Sequence, residues 1–214
     1  MRTVVYLVRH ASVVGAETRR FIGHLDVPLS PLSERQMAAL ARRLTDVKLK
    51  AVYSSDLART RRSARILAEP HGLTPAELPE LREFAMGRWE GLTAEEIRSL
   101  DGAAFAAWMA DVGGYQFPGG ENLAQLEARA WPAFERIVAA HRGGAVAVVA
   151  HGGTNRLILC RALGLPPGRI LALGQEYAAL SVLERTGERW GLWLLNQSEP
   201  WQSEPWQSEP WQSE

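Results

Sequence analysis

Two histidines stand directly after apolar runs of the kind found in buried strands. The run 4–8 is followed by Arg9 and His10, and the run 145–150 is followed by His151. Because the carboxyl ends of parallel strands meet at one sheet edge, where open α/β folds bind ligands, we expect both imidazoles at one site. An imidazole is a nucleophile at neutral pH, and the Arg9 guanidinium is a planar fork that matches phosphate oxygens. The pattern therefore indicates phosphoryl chemistry.

Other charged side chains supply the remaining parts of such a site. A phosphoryl group in transfer carries negative charge on its equatorial oxygens, so it needs surrounding donors and an in-line nucleophile. Arg9, Arg59 and His151 supply the donors, and His10 supplies the nucleophile. The leaving oxygen needs a proton, for which Glu83 is the candidate because its loop is apolar and apolar surroundings favour a protonated carboxyl. Together these residues make a phosphotransfer site that uses no metal.

Each of these residues also has an ordinary structural interpretation. A histidine at a strand end is commonly satisfied by a backbone carbonyl. Arg59 precedes three more arginines on one predicted helix, which is typical of a solvated basic face, and Glu83 taken alone is a surface carboxylate. The other histidines do not follow strands. We expect His71 and His141 to face solvent and His24 to lie in a binding loop.

The elements that must position these side chains alternate between apolar strands and amphipathic helices, which predicts an α/β fold. Strands are predicted at 4–8, 49–53, 145–150, 178–184 and 189–195, and helices at 32–44, 57–69, 93–100, 102–110, 122–141 and 154–163. Ser33 is predicted to cap the first helix. Pro132 is predicted to kink the long helix or to divide it in two.

Two segments between these elements are long enough to bind a substrate, namely the loop 12–31 and the insertion 93–120. Their side chains predicted to contact it are Arg19, Arg20, His24, Trp108 and Tyr115. We predict one catalytic domain over 1–196, in which 93–120 forms a cap over the sheet edge. A tail follows at 197–214.

The tail repeats Gln-Ser-Glu-Pro-Trp with a period of five residues. Regular proline excludes a helix or a central strand, so an extended segment is predicted. A repeat expansion without function is one explanation. The other is that its tryptophans dock on their own domain or on a neighbouring subunit, and the sequence leaves a homodimer open.

Composition argues against several classes of partner. Lysine plus arginine balance aspartate plus glutamate at 24 each, which gives no reason to expect nucleic acid or an anionic membrane. No apolar run approaches the roughly 20 residues that cross a bilayer, and the first strand leaves no room for a signal peptide, so we expect a cytoplasmic protein. Cys160 is the only cysteine, which excludes a disulfide framework and a cysteine-based metal site.

A series of short motifs runs through residues 1–185 in a fixed order. They are Leu7-Val8-Arg9-His10, Gly23 and Asp26 ahead of Pro28-Leu29-Ser30, Tyr53-Ser54-Ser55-Asp56-Leu57 with Arg59-Thr60, Leu81-Arg82-Glu83 with Gly87, Trp89-Glu90-Gly91, Gly120-Glu121-Asn122 and Ala150-His151-Gly152-Gly153. In this order the chain resembles the histidine phosphatase superfamily, also called the phosphoglycerate mutase-like family.

The resemblance implies a fold and a set of roles. The fold is a three-layer α/β/α sandwich with a mostly parallel central sheet and a small helical cap. His10 is implied as the phosphorylated nucleophile, Arg9, Arg59 and His151 as ligands of the phosphoryl group, and Glu83 as the general acid and later base. No cofactor and no metal is implied.

The chain departs from the family pattern beside the nucleophile. Ala11 stands where glycine is usual, and its methyl group would narrow the approach to phosphate. The segment 13–16 lacks the hydroxyl and the amide that commonly follow. One side-chain donor of the family pattern is then either missing or supplied by Arg19, His24 or Asn155.

The segment 20–30 is similar to the alpha-ribazole phosphatase-like and broad-specificity phosphatase branches, and aromatic side chains of the cap would stack a base or sugar. The predicted function is a metal-independent phosphomonoester hydrolase with a phosphohistidine intermediate, acting on a small molecule such as alpha-ribazole phosphate. A phosphoglycerate mutase-type phosphotransferase and a non-catalytic phosphate-binding module remain as alternatives. With an unshifted imidazole at position 10, activity should fall below about pH 6.5.

Overall fold

The computed structural model describes residues 1–198. Gln197 ends the last strand and does not open the tail as predicted. The repeat beyond Ser198 and its predicted docking lie outside the described residues. Within 1–198, the helices are too short or too polar to cross a bilayer.

Six strands of the described chain form one sheet. They are β1 (Arg2–Arg9), β2 (Leu49–Ser54), β3 (Ala76–Glu77), β4 (Ala145–Ala150), β5 (Leu180–Thr186) and β6 (Arg189–Gln197). The order across the sheet is β3-β2-β4-β1-β5-β6. The first four strands of this order are parallel, whereas β5 pairs antiparallel with β1 and β6 pairs antiparallel with β5. The predicted mostly parallel sheet is therefore confirmed.

The described chain has five α-helices, and four of them cover the two faces of this sheet. The helices are α1 (Pro31–Arg43), α2 (Ala58–Ala68), α3 (Ala94–Ala110), α4 (Leu123–Ala140) and α5 (Gly152–Leu163), of which α3 lies in the insertion. From β1, Val5 and Leu7 join the cluster that contains the buried faces of α4 and α5, while Tyr6 and Val8 join the cluster of α1 and α2. Because successive side chains of a strand point to opposite faces, a strand covered on both sides is apolar throughout. The predicted three-layer α/β/α sandwich is confirmed.

The pairing of β1 with β4 brings the two strand-end histidines to one edge. The strands are parallel and in register to their last residues, with Arg9 opposite Ala150. The backbone N–H of His10 then donates to the carbonyl of Ala150 at 3.0 Å. His10 and His151 therefore leave the sheet side by side, as predicted.

Two details of the helices differ from the prediction. Ser30, and not Ser33, caps α1, and its hydroxyl accepts from the Ser33 N–H while Pro31 occupies the first helical position. Proline suits that position because its φ is already helical and its missing N–H has no partner there. Pro132 lies inside α4, which is one continuous helix, so the predicted division in two is wrong while the kink stays a prediction. The apolar face of α4, which includes Ala130 and Phe134, is packed against the sheet on both sides of the proline.

The insertion forms a separate packed unit above the sheet edge. Thr93 caps α3 as predicted, in a reciprocal pair with Glu96 at 2.7 and 3.1 Å. The backbone at Asp101 is non-helical, which divides α3 where two short helices were predicted. A third apolar cluster holds the insertion together and contains Trp89, Ile97, Phe105 and Phe117.

Candidate active site

His10 follows β1 directly and is only 5% exposed. Its Nδ1–H donates to the carbonyl of Ala11 at 2.8 Å, which leaves Nε2 as the nitrogen with a free lone pair. Burial, followed by the charges of Arg59 and Arg9, lowers the pKa of His10 well below its ordinary value, although the Ala11 hydrogen bond raises it. The imidazole is therefore neutral at pH 7. The loss of activity predicted near pH 6.5 for an unshifted histidine moves to lower pH.

Arg9 is held by the loop that precedes β5. Its guanidinium lies over the ring of Tyr177, with Cζ 3.9 Å from the ring centroid, and its Nη1 donates to the Gln175 carbonyl. The same ring lies 5.6 Å from the His10 ring. A desolvated cation on an aromatic face is attracted to it, so Tyr177 fixes the position of Arg9 beside His10.

Arg59 does not belong to a solvated basic face. It lies near the N-terminus of α2, is 1% exposed, and donates to the carbonyls of Leu25 and Gly23 at 2.7 Å each. The neighbouring Arg61 and Arg62 instead form ion pairs at the surface. Arg59 therefore joins α2 to the loop 12–31 while it lines the cavity beside His10.

His151 has no exposed surface and lies behind His10, with ring centroids 5.1 Å apart. Its Nε2 is 2.8 Å from the hydroxyl of Ser55, which in turn lies 2.6 Å from the hydroxyl of Thr60. Within the described residues Nδ1 has no partner. Burial, followed by Arg59 and His10, lowers the pKa of His151 well below its ordinary value. The direction of both shifts favours the neutral form of each imidazole.

Glu83 rests on the N-terminus of α5. Its carboxylate accepts from the backbone N–H groups of Gly153 at 2.8 Å, Phe84 at 3.0 Å and Thr154 at 3.1 Å. The apolar composition of the loop did not predict these three N–H donors. A Cβ at Gly153 would lie 2.4 Å from Glu83 Oε1. Any side chain at Gly153 would therefore collide with the Glu83 carboxylate, so this position requires glycine.

Arg129 of α4 holds the loop that carries Glu83. Its five N–H groups are all used: two donate to the Glu121 carboxylate at 2.7 and 2.8 Å, and three donate to the carbonyls of Glu80, Arg82 and Glu83 at 2.6 to 2.8 Å. Glu121 also accepts from the Ala85 N–H at 2.9 Å. The ion pair between Arg129 and Glu121 therefore holds the backbone both before and after Glu83.

A cavity of about 290 Å³ opens at this edge. Its lining includes Arg9, His10, Arg19, Arg20, Arg59, Glu83, Trp108, Phe21, Phe84, Met86, Phe117, Arg156 and Tyr177. The lining is thus rich in arginine and in aromatic side chains. Three of the predicted substrate contacts, Arg19, Arg20 and Trp108, lie on it, and Arg20 also donates to Gly91 and Glu96 at its rim.

The other three predicted contacts do not line the cavity. His24 donates from Nε2 to the Glu83 carbonyl at 2.8 Å, so it supports the Glu83 loop from behind. Tyr115 packs on Trp89 within the apolar cluster of the insertion, 5.4 Å between centroids. Asn155 is fully buried in α5, and its amide atoms have no partner within the described residues.

The methyl group of Ala11 does not narrow the approach to phosphate. Ala11 is completely buried in the cluster of α1 and α2, and its backbone N–H donates to the Ser63 hydroxyl at 3.2 Å. It is not among the residues that line the cavity. The predicted obstruction at this position is therefore wrong, because the side chain points into the core.

Four residues with a place in this arrangement were not singled out from the sequence: Ser55, Arg129, Arg156 and Tyr177. Arg156 was detectable, because it lies one helical turn after the glycines at the start of α5 and so reaches back towards them. Ser55 stands inside a recognised motif. Nothing in the sequence near Arg129 or Tyr177 indicates that a distant loop or cation packs on them.

Comparison with known proteins agrees with this geometry. The model of the histidine phosphatase superfamily (branch 1) matches residues 5–198. Phosphoserine phosphatase 1 of Hydrogenobacter thermophilus is 31% identical over 86% of this chain and 87% of its own. A probable phosphoglycerate mutase of Yersinia enterocolitica is 30% identical over 87% and 86%.

Solved structures give the same answer. A mycobacterial glucosyl-3-phosphoglycerate phosphatase superposes with a TM-score of 0.84 at 30% identity, covering 92% of this chain and 100% of its own. The alpha-ribazole phosphatase of Shigella flexneri, at 24% identity, superposes with a TM-score of 0.83 over 92% and 96%, which supports the fold. The chain therefore belongs to the histidine phosphatase superfamily, branch 1.

Proposed function

We propose that this chain hydrolyses phosphomonoesters through a phosphohistidine at His10. The observation that carries the proposal is the state of that ring. Its Nδ1–H donates to the Ala11 carbonyl, Arg9 and Arg59 line the same cavity, and burial with these two cations lowers its pKa well below the ordinary value, which favours the neutral ring. A neutral imidazole next to two guanidinium groups is arranged to attack a bound phosphoryl group.

The reaction has two steps. The lone pair of His10 Nε2 attacks phosphorus, the bond from phosphorus to the alcohol oxygen breaks, and a proton from Glu83 goes to that oxygen. Glu83 must carry this proton before the first step. Water then attacks the phosphohistidine, Glu83 takes a proton from the water, and the nitrogen–phosphorus bond breaks. Phosphate leaves, and His10 and Glu83 return to their first state.

The donors of the site have separate tasks in this scheme. Arg9 and Arg59 neutralise the phosphoryl oxygens, and His151, which does not itself line the cavity, reaches them through Nδ1 behind His10. Fixed donors of this kind are preorganised, so they do not reorient as negative charge develops. No residue of this scheme requires a bound metal.

The substrate is proposed to be a small phosphomonoester whose alcohol part packs on aromatic side chains. Phe21, Trp108 and Phe117 are among the aromatic side chains that line the cavity. The names of similar proteins include phosphatases of phosphoserine, glucosyl-3-phosphoglycerate and alpha-ribazole. Alpha-ribazole phosphate, the substrate class suggested by the segment 20–30, remains one member of the set to be tested, and a cytoplasmic location remains part of the proposal.

A panel of phosphomonoesters assayed in EDTA tests the proposal. It comprises alpha-ribazole phosphate, 3-phosphoglycerate, phosphoserine, a nucleotide and an aryl phosphate. We expect phosphate release by the unaltered chain and a loss of about 10³-fold or more in His10→Ala. His141→Ala is the control, because His141 contacts Tyr53 at 2.9 Å, away from the cavity.

Three other results would contradict the proposal. Activity retained in His10→Ala would show that His10 is not the nucleophile. Conversion of 3-phosphoglycerate into its isomer without phosphate release indicates a mutase. Phosphate binding with no turnover of any compound indicates a binding module.

A further inference from the structure

The loop 173–178 before β5 provides hydrogen-bond acceptors for two arginines of the cavity. The Leu173 carbonyl accepts from Nε of Arg156 at 2.7 Å, and the Gln175 carbonyl accepts from Nη1 of Arg9. The aromatic ring that lies against the Arg9 guanidinium belongs to the same loop. The positions of both guanidinium groups therefore depend on the backbone of this loop.

The two guanidinium groups converge at the start of α5. A Cβ placed on Gly152 would lie 3.3 Å from Nη1 of Arg156 and 3.5 Å from Cζ of Arg9. Both side chains line the cavity together with His10. Because two like charges repel, fixed acceptors are needed to keep them there, and a phosphoryl anion is attracted to both.

Asn196 of β6 binds the peptide group whose carbonyl holds Arg9. Its Oδ1 accepts from the N–H of Glu176 at 2.6 Å, and that N–H and the Gln175 carbonyl belong to one peptide bond. A peptide bond is planar, so an anchor on its N–H constrains the direction of its C=O. A Cβ placed on Gly174 would lie 2.5 Å from Nδ2 of Asn196, so the amide packs directly on the loop backbone.

Asn196 reaches the loop because β6 carries a bulge at this point. The pairing of β6 with β5 shifts by one residue between Leu180 and Val182, and the N–H of Asn196 donates to the hydroxyl of Ser181 at 3.0 Å. The φ of Asn196 is +54°, in the left-handed region that asparagine adopts more readily than most residues with a side chain. A bulge bends its strand and redirects a side chain, here towards the loop.

We propose that Asn196 is a positioning residue of the phosphoryl site, because it sets the direction of the carbonyl that holds Arg9. Asn196 is not among the residues that line the cavity, so it acts through the peptide group and not on the ligand. An N–H that is already bound also makes the carbonyl of the same peptide a stronger acceptor. The inference rests on the proposed phosphatase activity and adds to it a residue outside the cavity.

Binding of inorganic phosphate, measured by calorimetry, tests the inference. Asn196→Gly keeps the left-handed backbone and removes the acceptor, whereas Asn196→Asp keeps both. We expect Asn196→Gly to bind phosphate about ten-fold more weakly than the unaltered chain, and Asn196→Asp to restore most of the affinity. The rescue separates the acceptor from the backbone strain at this position.

Turnover gives a second measurement. We expect Asn196→Gly to lower kcat/KM by the same factor for alkyl and aryl phosphates, because the phosphoryl group is common to both. A loss of proton delivery from Glu83 would instead depend on the leaving group.

Leu195→Ala is the matched control. Leu195 precedes Asn196 in β6, and its side chain is 39% exposed. We expect this variant to bind phosphate with unchanged affinity. Urea unfolding of each variant establishes that all of them are folded under the conditions of the binding experiment.

Three results would overturn the inference. The first is equal phosphate affinity of Asn196→Gly and the unaltered chain. The second is an equal loss of affinity in Asn196→Asp, which would show that the acceptor is not needed. The third is the same loss in Leu195→Ala, which would make the strand responsible and not the Asn196 side chain.

Phosphate binding also separates this inference from the proposed function. A chain that binds phosphate but hydrolyses no compound contradicts the proposed function, and the affinities of the variants still decide the role of Asn196. A chain that binds no phosphate contradicts both.

Discussion

At the residue scale, the contact between Ser55 and His151 determines which ring nitrogen of His151 is left for the proposed contact with the phosphoryl group. The hydroxyl of Ser55 occupies Nε2 at 2.8 Å, and the hydroxyl of Thr60 in turn contacts Ser55 at 2.6 Å. Nδ1 is then the nitrogen left for substrate. The partner of one ring nitrogen fixes the orientation of the other. Ser55 therefore positions Nδ1 of His151 without itself contacting the ligand.

We expect Ser55→Ala to weaken phosphate binding. The substitution leaves a buried ring nitrogen without its hydrogen bond, which costs about 1–3 kcal/mol, so the inhibition constant of inorganic phosphate should rise about ten-fold or more. Ser54→Ala is the matched control, because the neighbouring Ser54 hydroxyl is equally buried and has no partner within the described residues. Equal inhibition constants in the two variants would show that His151 does not depend on Ser55.

At the scale of elements, the loop between β3 and α3 is held by hydrogen bonds around Glu83, the proposed general acid. Arg129 and Glu121 belong to α4 and the segment just before it, and together they hold three carbonyls and one N–H of the Glu83 loop. The ion pair is about one-fifth exposed on each side. Its contribution is geometric, since a general acid acts only within hydrogen-bond reach of the leaving oxygen.

We expect Arg129→Gln to lower kcat mainly for substrates with poor leaving groups. An alkyl phosphate needs the proton from Glu83, whereas an aryl phosphate with an acidic phenol leaves with little help, so the loss should be about ten-fold or more for the first and much smaller for the second. A series of aryl and alkyl phosphates measures this as a steeper dependence of kcat on leaving-group pKa.

Arg136→Gln is the control for this variant. Arg136 lies on the same helix and pairs with Glu80 at 2.9 Å, but its side chain is 62% exposed and donates to no carbonyl of the loop. It should leave the leaving-group dependence unchanged. If both variants lost the same factor in kcat at every leaving group, Arg129 would stabilise the loop without positioning Glu83.

What the sequence predicts at this scale follows from local periodicity. The strands that deliver His10 and His151 are predictable because a strand covered on both faces is apolar throughout, and parallel strands must end at one edge. The break of α3 near Asp101 and its Thr93 cap are likewise local. The contacts of Arg129 and Tyr177 are not predictable, since each joins segments far apart in the chain and depends on how the layers pack.

At the scale of the whole molecule, burying two neutral histidines makes stability depend on pH. Burial, with nearby cations, lowers the pKa of His10 and of His151 in the folded chain, while in the unfolded chain each has its ordinary pKa of about 6.5. Below pH 6.5 the unfolded chain therefore binds more protons than the folded chain. The free energy of unfolding must then fall as the pH falls.

We expect this fall to reach about 1.4 kcal/mol per pH unit for each histidine once the unfolded chain is protonated. Urea unfolding at pH 7.5, 6.5 and 5.5 measures it, and the His10→Gln/His151→Gln variant should lose most of the dependence. Carboxylates such as Asp56, whose pKa is lowered by its hydrogen bond to Arg82, contribute only near and below pH 4. The same stability at pH 7.5 and 5.5 would show that folding does not lower the pKa of the two rings.

The sequence predicts which residues belong to the candidate site better than it predicts where their side chains point. His10, Arg9, Arg59 and Glu83 all line the cavity and could be proposed from motif order, because their chemistry requires those residue types. The direction of a side chain could not. Ala11 points into the core, and His24 and Tyr115 support the walls from behind, because packing decides orientation.

The most direct test of the central claim is to trap the covalent intermediate. The chain is mixed with a phosphomonoester, quenched in alkali within the first turnover, and digested for mass spectrometry. We expect one phosphoryl group on His10, labile in acid, absent from His10→Ala and enriched in Glu83→Gln if that substitution slows hydrolysis more than transfer. Steady release of phosphate with His10 unmodified at every time point, or with the label on another residue, would contradict the mechanism.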